Sequence, residues 1–144
     1  MKTPAILGDT LLRVALGIMF IAHSVVLKYF TFTLAGTAQY FASIGLPAAL
    51  AYVVFAAEAV GGVLLILGLY TRWVALALVP VLLGALWVHA GNGWVFSAPN
   101  GGWEYPLFLI VISAVVALQA TVPAARPLAA GTDRTLRAAS RGSE

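Results

Sequence analysis

One carboxyl group lies in the middle of a long apolar stretch, and it is the best candidate for chemistry in this sequence. Glu58 is the single charged residue between Leu46 and Tyr70. On a helix that rises about 1.5 Å per residue it lies about 17 Å from either end of the stretch, too far for its side chain to reach water. The carboxyl group must therefore be protonated or face a cation inside the protein. In either state it can exchange protons with a bound molecule.

A stretch nearer the N-terminus supplies groups that can meet Glu58. At about 100° per residue, one helix face within roughly 60° holds a stripe of small and basic residues: Arg13, Gly17, Ser24 and Lys28. His23 lies about 80° to one side of this stripe and about one turn from the depth of Glu58. Small residues allow helices to approach closely, and Gly61 and Gly62 follow Glu58 within one turn. We therefore expect the stripe to face Glu58.

A second polar set lies at the ends of two other apolar stretches. His89 closes the third stretch and Glu104 opens the fourth, so that with Lys28, His23 and Glu58 one half of the molecule can hold five titratable groups. Polar groups that converge in an apolar pocket are typical of a binding site. We predict Glu58 and His23 as catalytic residues. The predicted cofactor-binding residues are Arg13, Lys28, His89 and Glu104.

A purely structural interpretation of the same residues stays open. Glu58 and Arg13 can form a buried ion pair that fixes how two helices align, which is one use of buried polar groups. His89 and Glu104 can instead be hydrated at an interface. The sequence does not distinguish these interpretations from a functional site.

The composition is that of a membrane protein. Hydrophobic residues make up 62% of the chain and charged residues 9%, with a mean hydropathy of +0.98, whereas globular chains are about 45–50% apolar and about 25% charged. A membrane-spanning helix takes about 20 residues, so this length allows four crossings. The apolar runs are long and lack the period-two alternation of strands, which predicts helices.

We predict an all-α integral membrane protein, a bundle of four transmembrane helices within residues 1–122. The predicted helices cover residues 8–28, 46–70, 72–90 and 103–122. A short interfacial helix is expected at residues 34–44, after the first span. Aromatic residues within residues 29–45 and 91–105 are typical of the belt that lies at headgroup depth.

The distribution of basic residues predicts the orientation. Lys2 and Arg13 lie at the N-terminal side, Arg72 lies in the turn between the second and third spans, and four arginines lie after residue 125. Basic residues favour the cytoplasmic side, so both termini are expected there. Residues 123–144 are expected to form a basic, disordered cytoplasmic tail near anionic lipid headgroups. Nucleic-acid binding would need a larger, organised basic face, and we do not expect it here.

Several chemistries lack the residues they need. The sequence has no cysteine, which removes thiol nucleophiles, cysteine-bound metals and dithiol relays. His23 and His89 lie at unequal depths in their stretches, which disfavours a bis-histidine haem. Histidine and carboxylate side chains are acceptable metal ligands, but their spacing here follows no motif, and we predict no metal site.

The order of these residues resembles that of the DoxX family of small bacterial inner-membrane proteins. The resemblance rests on motifs spread over the first two spans and the turn that follows them: Leu11-Leu12-Arg13, Gly17, His23, Lys28, Gly45-Leu46-Pro47, Glu58, Gly61-Gly62, Leu67-Gly68-Leu69 and Thr71-Arg72. Ser24 stands where the family often has glycine. The resemblance implies a multi-pass protein of the bacterial plasma membrane with four helices, described as a component of an oxidoreductase.

Three functions follow from these observations as expectations. The first is a membrane subunit of a redox system that interacts with a quinone and is accessory to a partner oxidoreductase, because a chain without an evident redox centre needs a partner to supply electrons. The second is an assembly or scaffold protein, and the third is a proton-coupled carrier of a small molecule. The expected partners are the lipid bilayer, the redox protein and a second copy of the chain.

Overall fold

The computed structural model describes residues 4–120. The regular structure in this range is helical, and no strand occurs in it. The α-helices, in chain order, are α1 (Pro4–Ile21), α2 (Leu34–Ser43), α3 (Ala49–Leu67), α4 (Thr71–His89) and α5 (Glu104–Gln119). A π-helical segment, Ala22–Thr31, continues α1 without interruption, and a 3-10 turn, Ala90–Asn92, follows α4. The predicted tail lies outside the described residues.

Three of the four predicted spans are confirmed as helices long and apolar enough to cross a membrane. They are Pro4–Thr31, Ala49–Leu67 and Thr71–Asn92. The first begins earlier and ends later than predicted. α5 is apolar but has 16 residues, fewer than the roughly 20 that a crossing takes. The short helix α2 forms where the sequence predicted one, and the exposed apolar side chains fit contact with a lipid bilayer.

The long helices pack through one apolar core. α1 packs against α3 and α5, and α4 packs against the same two helices. All of these helices contribute to the core: Leu16, Phe20, Leu65, Ala75, Leu78, Leu82, Leu109, Val116 and Ala117. This arrangement places the π-helical segment beside α3 and directs the start of α5 toward α1.

Glycines bring α1 and α3 into backbone contact. A Cβ atom added to Gly17 would lie 2.7 Å from the carbonyl oxygen of Gly62, and one added to Gly62 would lie 2.8 Å from the carbonyl oxygen of Gly17. Both distances are too short for real Cβ atoms, so each position admits only glycine without a backbone shift. Gly61 faces the other way, toward Leu78 of α4. The predicted close approach at Gly61–Gly62 is confirmed.

The π-helical segment changes which residues share a face. A π-helix bonds residue i to residue i+5, so His23 and Lys28, five residues apart, lie on the same side. The Lys28 ammonium group donates to the carbonyl oxygen of His23 at 3.4 Å. The assumed 100° per residue, which placed His23 beside the stripe, is wrong for this segment. Ser24 is fully buried there and donates to the carbonyl oxygen of Phe20 at 2.8 Å.

Candidate functional site

A buried ion pair joins the π-helical segment to α3. Lys28 Nζ lies 2.6 Å from Glu58 Oε2, and the two side chains are 17% and 7% exposed. Charge-assisted hydrogen bonds of this kind are short and about twice as strong as neutral ones. Glu58 thus faces a cation from the first span, as the sequence predicted, and that cation is Lys28.

An imidazole lies beside the ion pair, and a phenol from α5 stacks on the imidazole. His23 Nδ1 is 2.9 Å from the carbonyl oxygen of Met19, and because a carbonyl can only accept, Nδ1 carries a proton and donates it in this hydrogen bond. The imidazole stacks with the ring of Tyr105, with centroids 6.1 Å apart and planes 23° apart. The Tyr105 hydroxyl donates to Met19 Sδ at 3.0 Å. α5 therefore contributes a hydroxyl group to this site.

Sequence reasoning missed Tyr105 as a member of the site. It assigned this residue to an aromatic belt, because an aromatic residue next to a polar loop is typical of an interface. Its contact with His23 and Met19 depends on how α5 packs against α1, which no local pattern reveals. The nearest signal was its place beside Glu104 at the start of an apolar stretch.

Arg13 lies at the end of α3, away from Glu58. Its guanidinium group donates to the carbonyl oxygens of Leu65 and Ile66, the second at 2.9 Å. Gly68 ends the helix in the left-handed conformation (φ 75°), and a Cβ atom there would lie 2.9 Å from the guanidinium group. The last carbonyls of a helix lack intrahelical partners and carry partial negative charge, so Arg13 caps α3 from a neighbouring helix.

The alternative that paired Arg13 with Glu58 is wrong. Leu65 follows Glu58 by seven residues, which is about 10 Å along the helix. Glu58 bonds to Lys28 instead. The predicted role of Arg13 in binding a cofactor stays a prediction, and its contacts in the structure are those of a helix cap.

Removal of this cap is expected to destabilise the protein. Arg13→Gln leaves two carbonyl oxygens at the end of α3 without their charged donor, and hydrogen bonds to charged groups contribute about 1.5–3 kcal/mol. We expect a loss of about 2 kcal/mol in the free energy of unfolding, measured by denaturant titration in maltoside micelles. Arg72→Gln is the matched control, because Arg72 is exposed and lies over the ring of Trp73 at 5.4 Å. Equal losses in both variants would contradict the capping role.

His89 and Glu104 hold the α4–α5 loop, residues 90–103, in place. His89 Nδ1 lies 3.0 Å and 3.1 Å from the carbonyl oxygens of Asn100 and Gly101. Glu104 Oε1 accepts from the backbone N–H of Phe96 at 2.8 Å. Within residues 4–120, no hydrogen bond or ion pair links either side chain to the Lys28–Glu58 pair. The expected group of five titratable residues is therefore formed only in part.

The site can hold and move protons in an apolar interior. It combines a carboxylate, an ammonium group, an imidazole ring and a hydroxyl group, contributed by Glu58, Lys28, His23 and Tyr105. The described part of the chain has no group of three or more side chains arranged to hold a metal ion. The arrangement is suited to proton exchange with a small molecule.

Together, the apolar helices and the buried ion pair define a small helical membrane protein with a polar site between its first two long helices. The chain belongs to the DoxX family, whose profile matches residues 8–91. The matched range contains Arg13, His23, Lys28 and Glu58, so the ion pair lies within the family region. Glu104 and Tyr105 lie beyond it.

A curated bacterial protein is similar over much of this range. It is "Putative oxidoreductase CatD" of Bacillus subtilis (strain 168), 46% identical over 80 residues. The aligned region covers 56% of this chain and 58% of that protein, so the chain spans less than two thirds of its relative's length. No solved structure matches the chain.

Proposed function

We propose that this chain is a quinone-interacting membrane subunit of a redox system, accessory to a partner oxidoreductase. Membership of the DoxX family and the oxidoreductase name of CatD support a link to redox chemistry. The observation that carries the proposal is the buried Lys28–Glu58 pair beside His23 and Tyr105. The proposal includes α5 as a fourth span of a bundle in the bacterial inner membrane, with cytoplasmic termini.

The residues of the site fit the chemistry of a quinone. A quinone is a flat apolar ring with two carbonyl oxygens that accept hydrogen bonds. The ammonium group of Lys28 and the hydroxyl group of Tyr105 are donors suited to such oxygens, and the imidazole of His23 offers an aromatic surface. The Tyr105 hydroxyl bonds to a thioether, a weak acceptor, so this bond is easily exchanged for a better one.

Each residue has a distinct part in proton handling. Reduction of a quinone to a quinol takes up two electrons and two protons when the molecule is bound. Glu58 exchanges these protons at its carboxylate oxygens, and Lys28 keeps the carboxylate oriented through their 2.6 Å contact. Because Nδ1 of His23 donates to the carbonyl oxygen of Met19, Nε2 is the ring nitrogen left to exchange a proton with a bound molecule. The sequence has no cysteine, and the partner supplies the electrons.

The test is the loss of quinone turnover in Glu58→Gln. Wild-type and variant genes are returned to a host strain that lacks the gene, and its membranes are assayed for reduction of decylubiquinone, normalised to the amount of folded chain. Removing a positioned proton donor costs about 10²-fold or more in rate, so we expect a loss of about 10²-fold. Unchanged turnover per folded molecule would contradict the proposal. Asp9→Asn, the same chemical change on an exposed residue of α1, is the matched control.

A scaffold function is the second candidate, and specific contacts favour it. Arg13 and Lys28, both from the first span, each bond to α3 and hold it in place. If these contacts serve only to assemble the helices, Glu58→Gln lowers the amount of folded chain while turnover per folded molecule stays normal. The two readouts of the same variant therefore separate the two functions.

A further inference from the structure

An open groove with aromatic walls lies between the α4–α5 loop and α5. Its volume is about 440 Å³. Trp94 and Phe96 from the loop form one wall, and Tyr105 and Phe108 from α5 form another. The rings of Trp94, Phe96 and Phe108 are each more than half exposed, so they are open to a ligand. The groove is separate from the Lys28–Glu58 pair, and Tyr105 is its one contact with the site described above.

The groove continues as an apolar stripe along α5. Glu104, Leu107, Phe108 and Val111 line it and are spaced as i, i+3, i+4 and i+7, which places them on one face of the helix. From Glu104 to Val111 this face extends about 10 Å. The lining is almost entirely apolar, and Glu104, at the loop end, is the one charged residue among the described residues that form it.

The loop is fixed in position over the start of α5. The backbone N–H groups of Trp103 and Glu104 donate to the carbonyl oxygens of Gly93 and Trp94, both at 3.1 Å. A side chain at Gly102 would collide with the backbone of Val95. The aromatic wall is therefore held against the helix before any ligand binds, which lowers the entropic cost of binding.

Glu104 gives the groove a negative charge that no basic side chain neutralises. One carboxylate oxygen accepts from the N–H of Phe96. Among residues 4–120, no Lys, Arg or His side chain forms an ion pair with it. Within residues 4–120, Arg72 is the basic residue that lies over an aromatic ring, and that ring is Trp73, which does not line the groove.

We propose that this groove binds an amphiphilic organic cation, with a quaternary ammonium or protonated amine head beside Glu104 and an alkyl chain along Leu107 and Val111. Aromatic faces attract such cations through the ring quadrupole, and cages of this type recognise quaternary ammonium groups. The carboxylate adds charge complementarity, and the apolar stripe accommodates the chain. This site goes beyond the redox function proposed above.

The carboxylate distinguishes this proposal from two simpler interpretations. An interfacial belt explains aromatic residues at headgroup depth, but it needs no acidic group among them. A neutral ring such as a quinone fits the aromatic walls but gains nothing from the carboxylate. The quinone oxygens and the Glu104 oxygens are all hydrogen-bond acceptors, so they cannot bond to each other. A cation is complementary to the walls and to the charge.

Calorimetric titration of the full chain in maltoside micelles tests the proposal. Octyltrimethylammonium is the probe, and octanol and octanoate are neutral and anionic compounds of the same chain length. We expect the cation to bind at least tenfold more tightly than either. Equal affinity for octanol would overturn the proposal, because the groove would then recognise only an alkyl chain.

Two variants locate the binding site. Glu104→Gln keeps an oxygen that can accept from the N–H of Phe96, so the loop stays in place while the charge is lost. Phe108→Leu removes one aromatic wall and touches no loop hydrogen bond. We expect each to weaken cation binding about tenfold or more, whereas Phe30→Leu, which removes an exposed ring elsewhere, leaves it unchanged. Unaltered binding in Glu104→Gln would overturn the assignment.

Competition separates the two sources of such a cation. Dihexanoyl phosphatidylcholine carries a quaternary ammonium head, and dihexanoyl phosphatidylglycerol has none. If the groove takes a lipid headgroup, the first lipid weakens binding of octyltrimethylammonium about tenfold and the second does not. If neither lipid competes while the cation still binds through Glu104, the occupant is a soluble amphiphilic cation. Competition by both lipids alike would contradict recognition of the ammonium group.

Discussion

Lys28→Met is expected to lower the free energy of unfolding by about 3–5 kcal/mol, the usual cost of removing one partner from a buried ion pair. The variant leaves the Glu58 carboxylate, 7% exposed, without its cation 2.6 Å away. The carboxyl group must then remain charged in an apolar interior or take up a proton, and either outcome costs free energy. Denaturant titration of the purified chain in maltoside micelles measures the loss.

The double variant Lys28→Met/Glu58→Leu tests whether the two residues act as a unit. Replacement of both members of a buried pair by apolar residues is often neutral or stabilising. We expect the double variant to recover most of the lost stability, while its turnover stays about 10²-fold below that of the wild type because the proton-carrying group is gone. If the two single losses simply add in the double variant, the side chains do not interact and the interpretation of the site as an ion pair fails.

Gly62→Leu is expected to force α1 and α3 apart and to cost about 3 kcal/mol of stability, since overpacking a tight contact costs about 1–3 kcal/mol or more. The first added atom would meet the backbone oxygen of Gly17 at 2.8 Å and the side chain of Ile21 at 2.9 Å. A backbone oxygen cannot move aside without a shift of the helix. Because Gly62 lies one turn after Glu58, the same shift stretches the contact with Lys28.

Gly84→Leu is the matched control for this prediction. Gly84 also lies inside a helix, α4, but nothing lies within 4 Å of an added Cβ atom. Glycine is about 0.8–1.0 kcal/mol less favourable than alanine in a helix, and leucine is close to alanine. We therefore expect Gly84→Leu to leave stability unchanged or to raise it slightly in the same titration. A similar loss in both variants would show that the Gly17–Gly62 approach has no special importance.

The confirmed parts of the sequence analysis rest on composition and local pattern. An apolar chain with a single carboxyl group in its second long stretch predicts helices in lipid, and it requires that carboxyl group to be protonated or to face a cation. The stripe in the first span named Arg13 and Lys28 as candidates. The state of the carboxyl group and the choice of candidate cations both follow from the energetic cost of a charge in an apolar medium. This cost can be judged without knowing how the helices pack.

The sequence alone determined that the chain is helical and apolar, that Glu58 must be protonated or face a cation, and that the first span carries basic residues that can meet it. The tertiary structure decided which partner it has. The π-helical Ala22–Thr31 turns Lys28 toward α3, while Arg13 lies about 10 Å away along α3 and caps that helix. It also decided that Tyr105 reaches His23. The physical reason is that a local pattern fixes the period and depth of a side chain, whereas the rotation of one helix against another follows from contacts between residues far apart in the chain.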